Sequence, residues 1–212
     1  MNVLVIAPHP DDESIGCGGA LCLHARRGDR VAAVFLTSGE LGLKRLPREK
    51  ARAFRESEAR KAAKILKLAD LFFLRCGDWN LNAEISRAAA LLRPILKRVK
   101  PRLIYLPHPQ EWHPDHQAAL PIVRAALRRC GIPRPALRAY EIWSPLVAHD
   151  HVEDISSVMA RKLEAVRAHK SQLREFDYVR AIIGLNQYRG AIAARAPYAE
   201  VFMELPPTGK SG

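Results

Sequence analysis

The chain has 212 residues, 48% of them hydrophobic, which is enough for one domain with a sizeable core and excludes a disordered protein. The net charge of +12 would suit an anionic partner, but the basic residues alternate with acidic ones, as on solvated helix faces, without interleaved aromatic residues. We therefore expect no nucleic-acid partner. No apolar run is long enough to span a bilayer and the N-terminus lacks a signal-peptide pattern, so we expect a cytoplasmic protein without integral membrane contact.

Short apolar segments alternate with longer helix-like segments through the first part of the chain. Four segments rich in β-branched or aromatic residues are predicted to be strands, at 2–7, 30–37, 70–75 and 102–107. Their nearly continuous hydrophobicity suits strands that are buried on both faces of a parallel sheet. Helical character follows at 13–27, 47–67, 83–99 and 115–129. This order predicts an α/β fold with a Rossmann-like, doubly wound, mostly parallel sheet.

The pattern is weaker after residue 130. We predict a strand within 138–145, helices at 156–173 and 178–194, and an edge strand at 198–205. Without a linker or an internal repeat, we expect a single domain over 1–205 and a flexible C-terminal tail at 206–212. The four cysteines form no CxxC pair, so we interpret them as small apolar residues.

Two clusters of ionisable residues follow predicted strands. HPDDE, at 9–13, follows the first strand, and HPQEWHPDH, at 108–116, follows the fourth. Ligands bind beyond the carboxyl ends of the strands in a doubly wound sheet, so both clusters are predicted to lie on the same edge. Either cluster alone would be explained as a helix cap or a turn, but their coincidence favours a shared site.

The first cluster has the residue types of a hydrolytic metal site. A catalytic zinc ion takes three His or carboxylate ligands and keeps a further position for water. His9 and Asp12, with one histidine of the second cluster, would supply these ligands. Asp11 would then face the water as a general base.

The second cluster offers two histidines three residues apart at the start of a predicted helix. His113 and His116 share a helix face, so one of them could bind the metal while the other faces the substrate. Asp115 lies between them and could fix the tautomer of an imidazole. The residues themselves leave this assignment open.

The glycine-rich segment GCGGA, at 16–20, suggests an alternative interpretation. It is similar to the glycine fingerprint for dinucleotides, but HPDDESI separates it from the strand, so we expect these glycines to permit close helix–strand packing. A nucleotide-binding Rossmann module without chemistry is nevertheless one alternative function. A protein that binds RNA or another polyanion is another, based on the net charge, and a metal-dependent esterase or amidase with a non-sugar substrate is a third.

The segment APHPDDESIGCGG, at 7–19, together with HPDH, at 113–116, resembles the PIG-L/LmbE family of metal-dependent N-deacetylases. Weaker similarities follow in the expected order, in AVFLTSGELG, FRESEARKAAKIL, CGDWNL, HKSQ and YAEVF. The resemblance implies a zinc-dependent hydrolase that removes the acetyl group from an N-acetylated amino sugar conjugate of the N-acetylglucosamine type. The expected partner is this small-molecule substrate, and a homo-oligomer is compatible with the sequence.

The resemblance also implies the roles of the metal ligands and the base. His9, Asp12 and His116 match the zinc ligands of the family, and Asp11 matches its general base. Acetate and a free amine are the products that this chemistry implies. The leaving amine would receive its proton from Asp11 or from His113, two possibilities that stay open at this stage.

The remaining site residues are assigned by the same resemblance. His113 matches the histidine that stabilises the oxyanion, and Asp115 matches the carboxylate that orients this histidine. Arg55 and Asp78 match positions that contact the sugar. Trp79 and Asn80 stand in a loop where the family has glycine, and the indole of Trp79 would either form a stacking wall for a sugar or fill the core.

Overall fold

Seven strands form one sheet in the computed structural model, which describes residues 1–206. They are β1 (Asn2–Ala7), β2 (Arg30–Phe35), β3 (Asp70–Phe73), β4 (Leu103–Pro107), β5 (Ala136–Tyr140), β6 (His151–Asp154) and β7 (Ala199–Leu205). Their order across the sheet is β3-β2-β1-β4-β5-β7-β6. Strands β1 to β5 pair in parallel, whereas β7 is antiparallel to both of its neighbours. The predicted α/β fold with a mostly parallel sheet is confirmed.

Helices cover both faces of the sheet. They are α1 (Asp12–Arg26), α2 (Arg48–Leu66), α3 (Ile85–Val99), α4 (Pro114–Leu127), α5 (Met159–Ala168) and α6 (Tyr178–Arg189). Alternate residues of β1 point to opposite faces: Val3 and Val5 pack with α1, α2, α5 and α6, and Leu4 and Ile6 pack with α3 and α4. Burial on both sides explains why this strand is apolar throughout. Within residues 1–206, none of the helices is both long and apolar enough to cross a membrane.

The C-terminal part of the sheet differs from the prediction. The strand predicted at the edge, β7, pairs on both sides, and the short β6 takes the edge position instead. The sequence of β6, HVED, has only one apolar side chain, and its residues are half-buried or exposed, so it carries no clear strand pattern. Of the tail predicted at 206–212, residues 207–212 lie outside the described part of the chain.

The glycines of α1 allow this helix to approach the sheet closely, as predicted. A Cβ atom on Gly16 would lie 2.2 Å from Cδ2 of Tyr140, at the end of β5. A Cβ atom on Gly19 would lie 2.5 Å from Cγ2 of Ile155, directly after β6. Neither distance is compatible with a real side chain, so these glycines serve packing between helix and sheet.

The topology brings the two ionisable clusters together. Strand β1 pairs with β2 on one side and with β4 on the other, so the chain order changes direction between β1 and β4. Such a switch point opens a crevice beyond the carboxyl ends of the strands. The segments that follow β1 and β4, at 8–13 and 108–116, therefore lie side by side.

A Gly16→Ala substitution tests the close packing of α1. Tyr140 cannot move freely away from an added methyl group, because its hydroxyl donates a 2.8 Å hydrogen bond to the carbonyl of Ile6. We expect the free energy of unfolding, measured by urea denaturation, to fall by about 1–3 kcal/mol. Gly184→Ala in α6 is the control: its Cβ would meet no atom within 4 Å, and it should raise stability by about 0.5–1 kcal/mol. Equal effects of the two substitutions would contradict the packing role.

Candidate metal centre

The turn between β1 and α1 does not use the side chain of Asp11 to cap the helix. Asp11 has a φ of 139°, which is rare for a residue with a side chain, and its carbonyl accepts hydrogen bonds from the backbone of Ser14 and Ile15. Within the described chain, the carboxylate of Asp11 makes no capping hydrogen bond to α1. The interpretation of HPDDE as a simple helix cap is therefore not supported.

Three buried side chains form a compact triangle of ligand atoms. Nδ1 of His9 lies 3.5 Å from Oδ2 of Asp12 and 3.3 Å from Nε2 of His116. Oδ2 of Asp12 lies 3.3 Å from the same Nε2 atom of His116. A zinc ion with bonds of about 2.1 Å to three corners of a tetrahedron would hold its ligands about 3.4 Å apart. The side chains thus fit a tetrahedral metal ion, and these three residues form one of the groups suited to metal binding.

Glu111 lies behind the predicted histidine ligand of the second cluster. Its Oε2 atom lies 3.8 Å from Nδ1 of His116, and neither atom has a hydrogen-bond partner in the described structure. Its Oε1 atom accepts hydrogen bonds from the backbone of Ile142 at 2.8 Å and of Trp143 at 3.0 Å. A carboxylate behind a metal-ligating imidazole fixes its orientation and raises its basicity. Sequence reasoning missed this role, because Glu111 belongs to no periodic pattern and its backbone partners lie about 30 positions further along.

Two carboxylates contact the other predicted histidine ligand. Nε2 of His9 lies 3.1 Å from Oδ2 of Asp115 and 3.2 Å from Oδ1 of Asp78. The Asp115 carboxylate also accepts hydrogen bonds from the backbone of Trp79 at 2.8 Å and Leu81 at 3.0 Å. The family resemblance implied that Asp115 orients His113, whereas its carboxylate contacts His9. The reason is that the side chain of Asp115, in the first turn of α4, points back towards β1.

The backbone of Asp115 makes the contact with His113. Its N–H donates a 3.2 Å hydrogen bond to Nδ1 of His113, so this nitrogen carries no proton and Nε2 of the neutral ring is the N–H donor. Burial and the neighbouring histidines lower the pKa of His113 to about 4, which keeps the ring neutral at neutral pH. The indole of Trp79 lies 4.3 Å from this ring and is 54% exposed. Trp79 thus forms a wall of the crevice and does not fill the core.

Arg55 holds the carboxylate of Asp11 in place. Its guanidinium donates hydrogen bonds to Oδ2 of Asp11 at 3.0 Å and to the carbonyls of Pro10 at 2.7 Å and Gly39 at 2.9 Å. Burial raises the pKa of the Asp11 carboxyl to about 6, although the charge of Arg55 opposes this shift. A carboxyl with a pKa in this range can exchange a proton near neutral pH.

The two residues predicted to contact a sugar lie at the site, but most of their polar atoms bind protein atoms. The two Nη atoms of Arg55 donate to the groups described above, whereas its buried Nε atom has no hydrogen-bond partner in the described structure. Oδ2 of Asp78 accepts a 2.7 Å hydrogen bond from the backbone of Leu41. Both side chains are buried. Their contact with a sugar stays a prediction, whereas their contacts with Asp11 and His9 position the predicted base and a predicted metal ligand.

The charges of the site favour a cation. Burial would lower the pKa of His9, but its carboxylate neighbours raise it well above the ordinary value of 6.5. Burial would raise the pKa of Asp12, but the charges and hydrogen bonds of His116 and His9 hold it well below its usual range. The same carboxylates that favour a proton on His9 would stabilise a divalent cation at the triangle.

Comparison with known proteins gives a consistent result. Residues 4–127 match the model of a family described as PIG-L, GlcNAc-PI de-N-acetylase. The chain is 34% identical over 192 residues to the probable N-acetyl-alpha-D-glucosaminyl L-malate deacetylase 2 of Bacillus subtilis, an alignment that covers 83% of this chain and 87% of the relative. It is 30% identical over 192 residues to the diacetylchitobiose deacetylase of Thermococcus kodakarensis, an alignment that covers 82% of this chain and 71% of the relative. The crystal structure of a conserved protein from Thermus thermophilus is similar to this chain, with a TM-score of 0.82 and 31% sequence identity. The superposition covers 99% of this chain and 96% of that protein.

A Glu111→Gln substitution tests the support of the predicted metal ligand. A glutamine side chain has one oxygen atom where glutamate has two. This oxygen can accept hydrogen bonds from the backbone of the 142–144 segment, but then the amide NH₂ group, which is a donor, faces Nδ1 of His116. We expect the affinity for Zn²⁺ to fall about 10–100-fold, as measured by competition with a chromogenic chelator.

Two further variants serve as controls for this experiment, one expected to lose the metal and one expected to keep it. His116→Ala removes a ligand of the triangle and should abolish stoichiometric metal binding. Glu164→Gln, which removes a carboxylate on the exposed side of α5, should leave the affinity unchanged. An unchanged affinity in Glu111→Gln would contradict the supporting role of Glu111.

Proposed function

The chain belongs to the PIG-L family of GlcNAc-PI de-N-acetylases, and from this membership and its site we propose that it is a zinc-dependent hydrolase. The substrate that we propose is an N-acetylated amino sugar conjugate of the N-acetylglucosamine type, from which the acetyl group is removed. The deacetylases to which it is similar are named for substrates that share an acetamido group on glucosamine. The observation that carries the proposal is the buried triangle of His9, Asp12 and His116 with Asp11 beside it.

Zinc is the proposed metal because of the ligand set. Two imidazole nitrogens and one carboxylate oxygen, at distances typical of a tetrahedron's edges, suit Zn²⁺ better than the larger oxygen-rich shells of Ca²⁺ or Mg²⁺. When bound, such an ion supplies Lewis acidity, which acidifies water and polarises the carbonyl of the acetamide.

Asp11 is the proposed general base. It directly precedes the proposed ligand Asp12, and the guanidinium of Arg55 holds its Oδ2 atom. We assign to Asp11 the removal of a proton from the attacking water, while the water oxygen forms a bond to the acetamide carbon. The C–N bond then breaks, acetate carries away the oxygen of the water, and the amine nitrogen receives the proton that Asp11 removed from that water.

His113 is the proposed donor to the oxyanion. Its Nδ1 atom accepts from the backbone of Asp115, so its Nε2–H is available to the acetamide oxygen as negative charge develops there. A neutral donor held by a backbone hydrogen bond requires no reorganisation during the reaction. The indole of Trp79, 4.3 Å from this ring, offers an exposed aromatic face against which a sugar can stack.

The first experiment on this function combines metal content with acetate release. The chain, purified without added metal, is analysed for zinc by mass spectrometry and assayed for acetate release from a panel of N-acetylglucosamine conjugates, with and without a chelator. About one zinc ion per chain and acetate release that the chelator abolishes would support the proposal. Zinc without acetate from any conjugate would contradict the sugar substrate and favour another amide or ester. Failure to bind zinc even when it is added would contradict the metal site.

An Asp11→Asn substitution tests the general base. An asparagine keeps the shape of the side chain and an acceptor for Arg55, but it cannot take a proton from water. We expect kcat to fall by about 10²–10⁴-fold while the zinc content is unchanged. Asp150→Asn, on an exposed segment, is the control and should retain the wild-type kcat and zinc content. Normal turnover in Asp11→Asn would eliminate Asp11 as the base.

A further inference from the structure

A cavity of about 300 Å³ lies beside the metal centre, between the start of α1, the segment after β5, and α6. Its volume is at the small end of the range for ligand sites, enough for one ring or a short alkyl chain. Most of its wall is aromatic or aliphatic: Ile15, Trp143, Phe176, Tyr178, Ile182 and Leu185 contribute to it. The proposed deacetylation uses none of these side chains, so the cavity has no role in the chemistry described above.

A continuous run of aromatic side chains connects the cavity to the crevice. The ring of Trp112 lies 5.4 Å from that of His113 and 5.9 Å from that of Trp143, which lines the cavity. The ring centroid of Trp143 in turn lies 5.3 Å from that of Phe176 and 5.6 Å from that of Tyr178. These ring contacts form an aromatic connection between His113 and the wall of the cavity.

The cavity is also close to the acidic residues of the centre. Ile15, in its wall, is one turn of α1 after Asp12. Burial raises the pKa of the Tyr178 phenol above its usual value, and the charges of Asp11 and Asp12 raise it further. The cavity thus lies next to the metal centre, near the N-terminal end of α1.

The polar residues in the wall exclude an anionic ligand. Glu141 is bound by Arg189 at 2.8 Å, and Glu200 is bound by Lys162 at 2.7 Å. Asp177, the third carboxylate of the wall, accepts from the backbone at the start of α6. Within residues 1–206, no basic side chain contributes to the lining. A carboxylate or phosphate here would be desolvated beside acidic groups without a counter-charge.

We propose that this cavity binds an uncharged, apolar group that is attached to the amino sugar of the substrate. The inference rests on the proposed function for the identity of the sugar. It adds that the second part of the conjugate is a ring or short alkyl group and not an anion such as malate.

The test measures binding separately from catalysis. Phenyl and methyl 2-amino-2-deoxy-glucosides, which carry no acetyl group to remove, are titrated into the zinc-loaded chain by isothermal calorimetry. We expect the phenyl glycoside to bind about ten-fold more tightly or better, because burial of one ring is worth this much. The glucosaminyl L-malate conjugate should bind no more tightly than the methyl glycoside.

Two variants locate the bound ring. Ala181→Phe places a bulky side chain into the cavity from α6, and Phe176→Ala removes part of the wall at a half-exposed position that tolerates truncation. Each should reduce the ratio of phenyl to methyl affinity at least about three-fold, by occlusion or by lost contact. Gln187→Phe, on the same helix but outside the lining, is the matched control and should keep the wild-type ratio.

The outcomes separate this proposal from the proposed function. A preference for phenyl that the two variants reduce supports the cavity as its site, even if no acetate is released from any conjugate. Equal affinity for the phenyl and methyl glycosides would overturn the proposal, even if N-acetylglucosamine conjugates are deacetylated. A phenyl preference that survives both variants, or tighter binding of the malate conjugate, would overturn it as well.

Discussion

The contact of the Asp12 carboxylate with the imidazoles of His9 and His116 is the interaction on which the site depends. It joins two segments that are about a hundred residues apart, and it does so among buried groups. Buried ionisable groups are unfavourable unless opposite charges or a metal satisfy them, so these side chains have few alternative arrangements. The parallel pairing of β1 with β4 makes the contact geometrically possible, and close packing of α1 on the sheet keeps Asp12 at the edge.

The residues around the triangle are also arranged so that buried charged groups have partners. Each histidine of the triangle meets a carboxylate on its second nitrogen, Asp115 for His9 and Glu111 for His116. These carboxylates are held in turn by backbone N–H groups of the 79–81 and 142–144 segments. The loops that face the crevice are thereby fixed by the residues that orient the two imidazoles. A change in one loop should consequently affect metal binding, and loss of a carboxylate should affect the shape of the crevice.

Sequence patterns could predict the centre of this arrangement but not its periphery. His9 and Asp12 follow an apolar strand whose carboxyl end must lie at the sheet edge, so residue type and position pointed to the same site. Glu111 is a single carboxylate in a loop, and its importance comes from contacts distant in sequence. Strand β6 was missed for a related reason: four mostly polar residues become a strand only because β7 offers them a partner. Local patterns report burial, whereas these features depend on pairing between distant segments.

The net charge of +12 lies on the solvated helix faces, whereas the local charges at the sheet edge are mostly negative. Carboxylates surround the metal triangle and also line the neighbouring cavity, where Arg189 and Lys162 already neutralise two of them. At physiological ionic strength, charges on outer helix faces are screened beyond about 8 Å, so they affect how a ligand approaches more than how it is held. The groups within contact distance decide binding, and here they favour a metal cation and a neutral ligand. The composition of a chain therefore describes its solvated surface, and the chemistry of its site has to be read from the residues that the fold brings together.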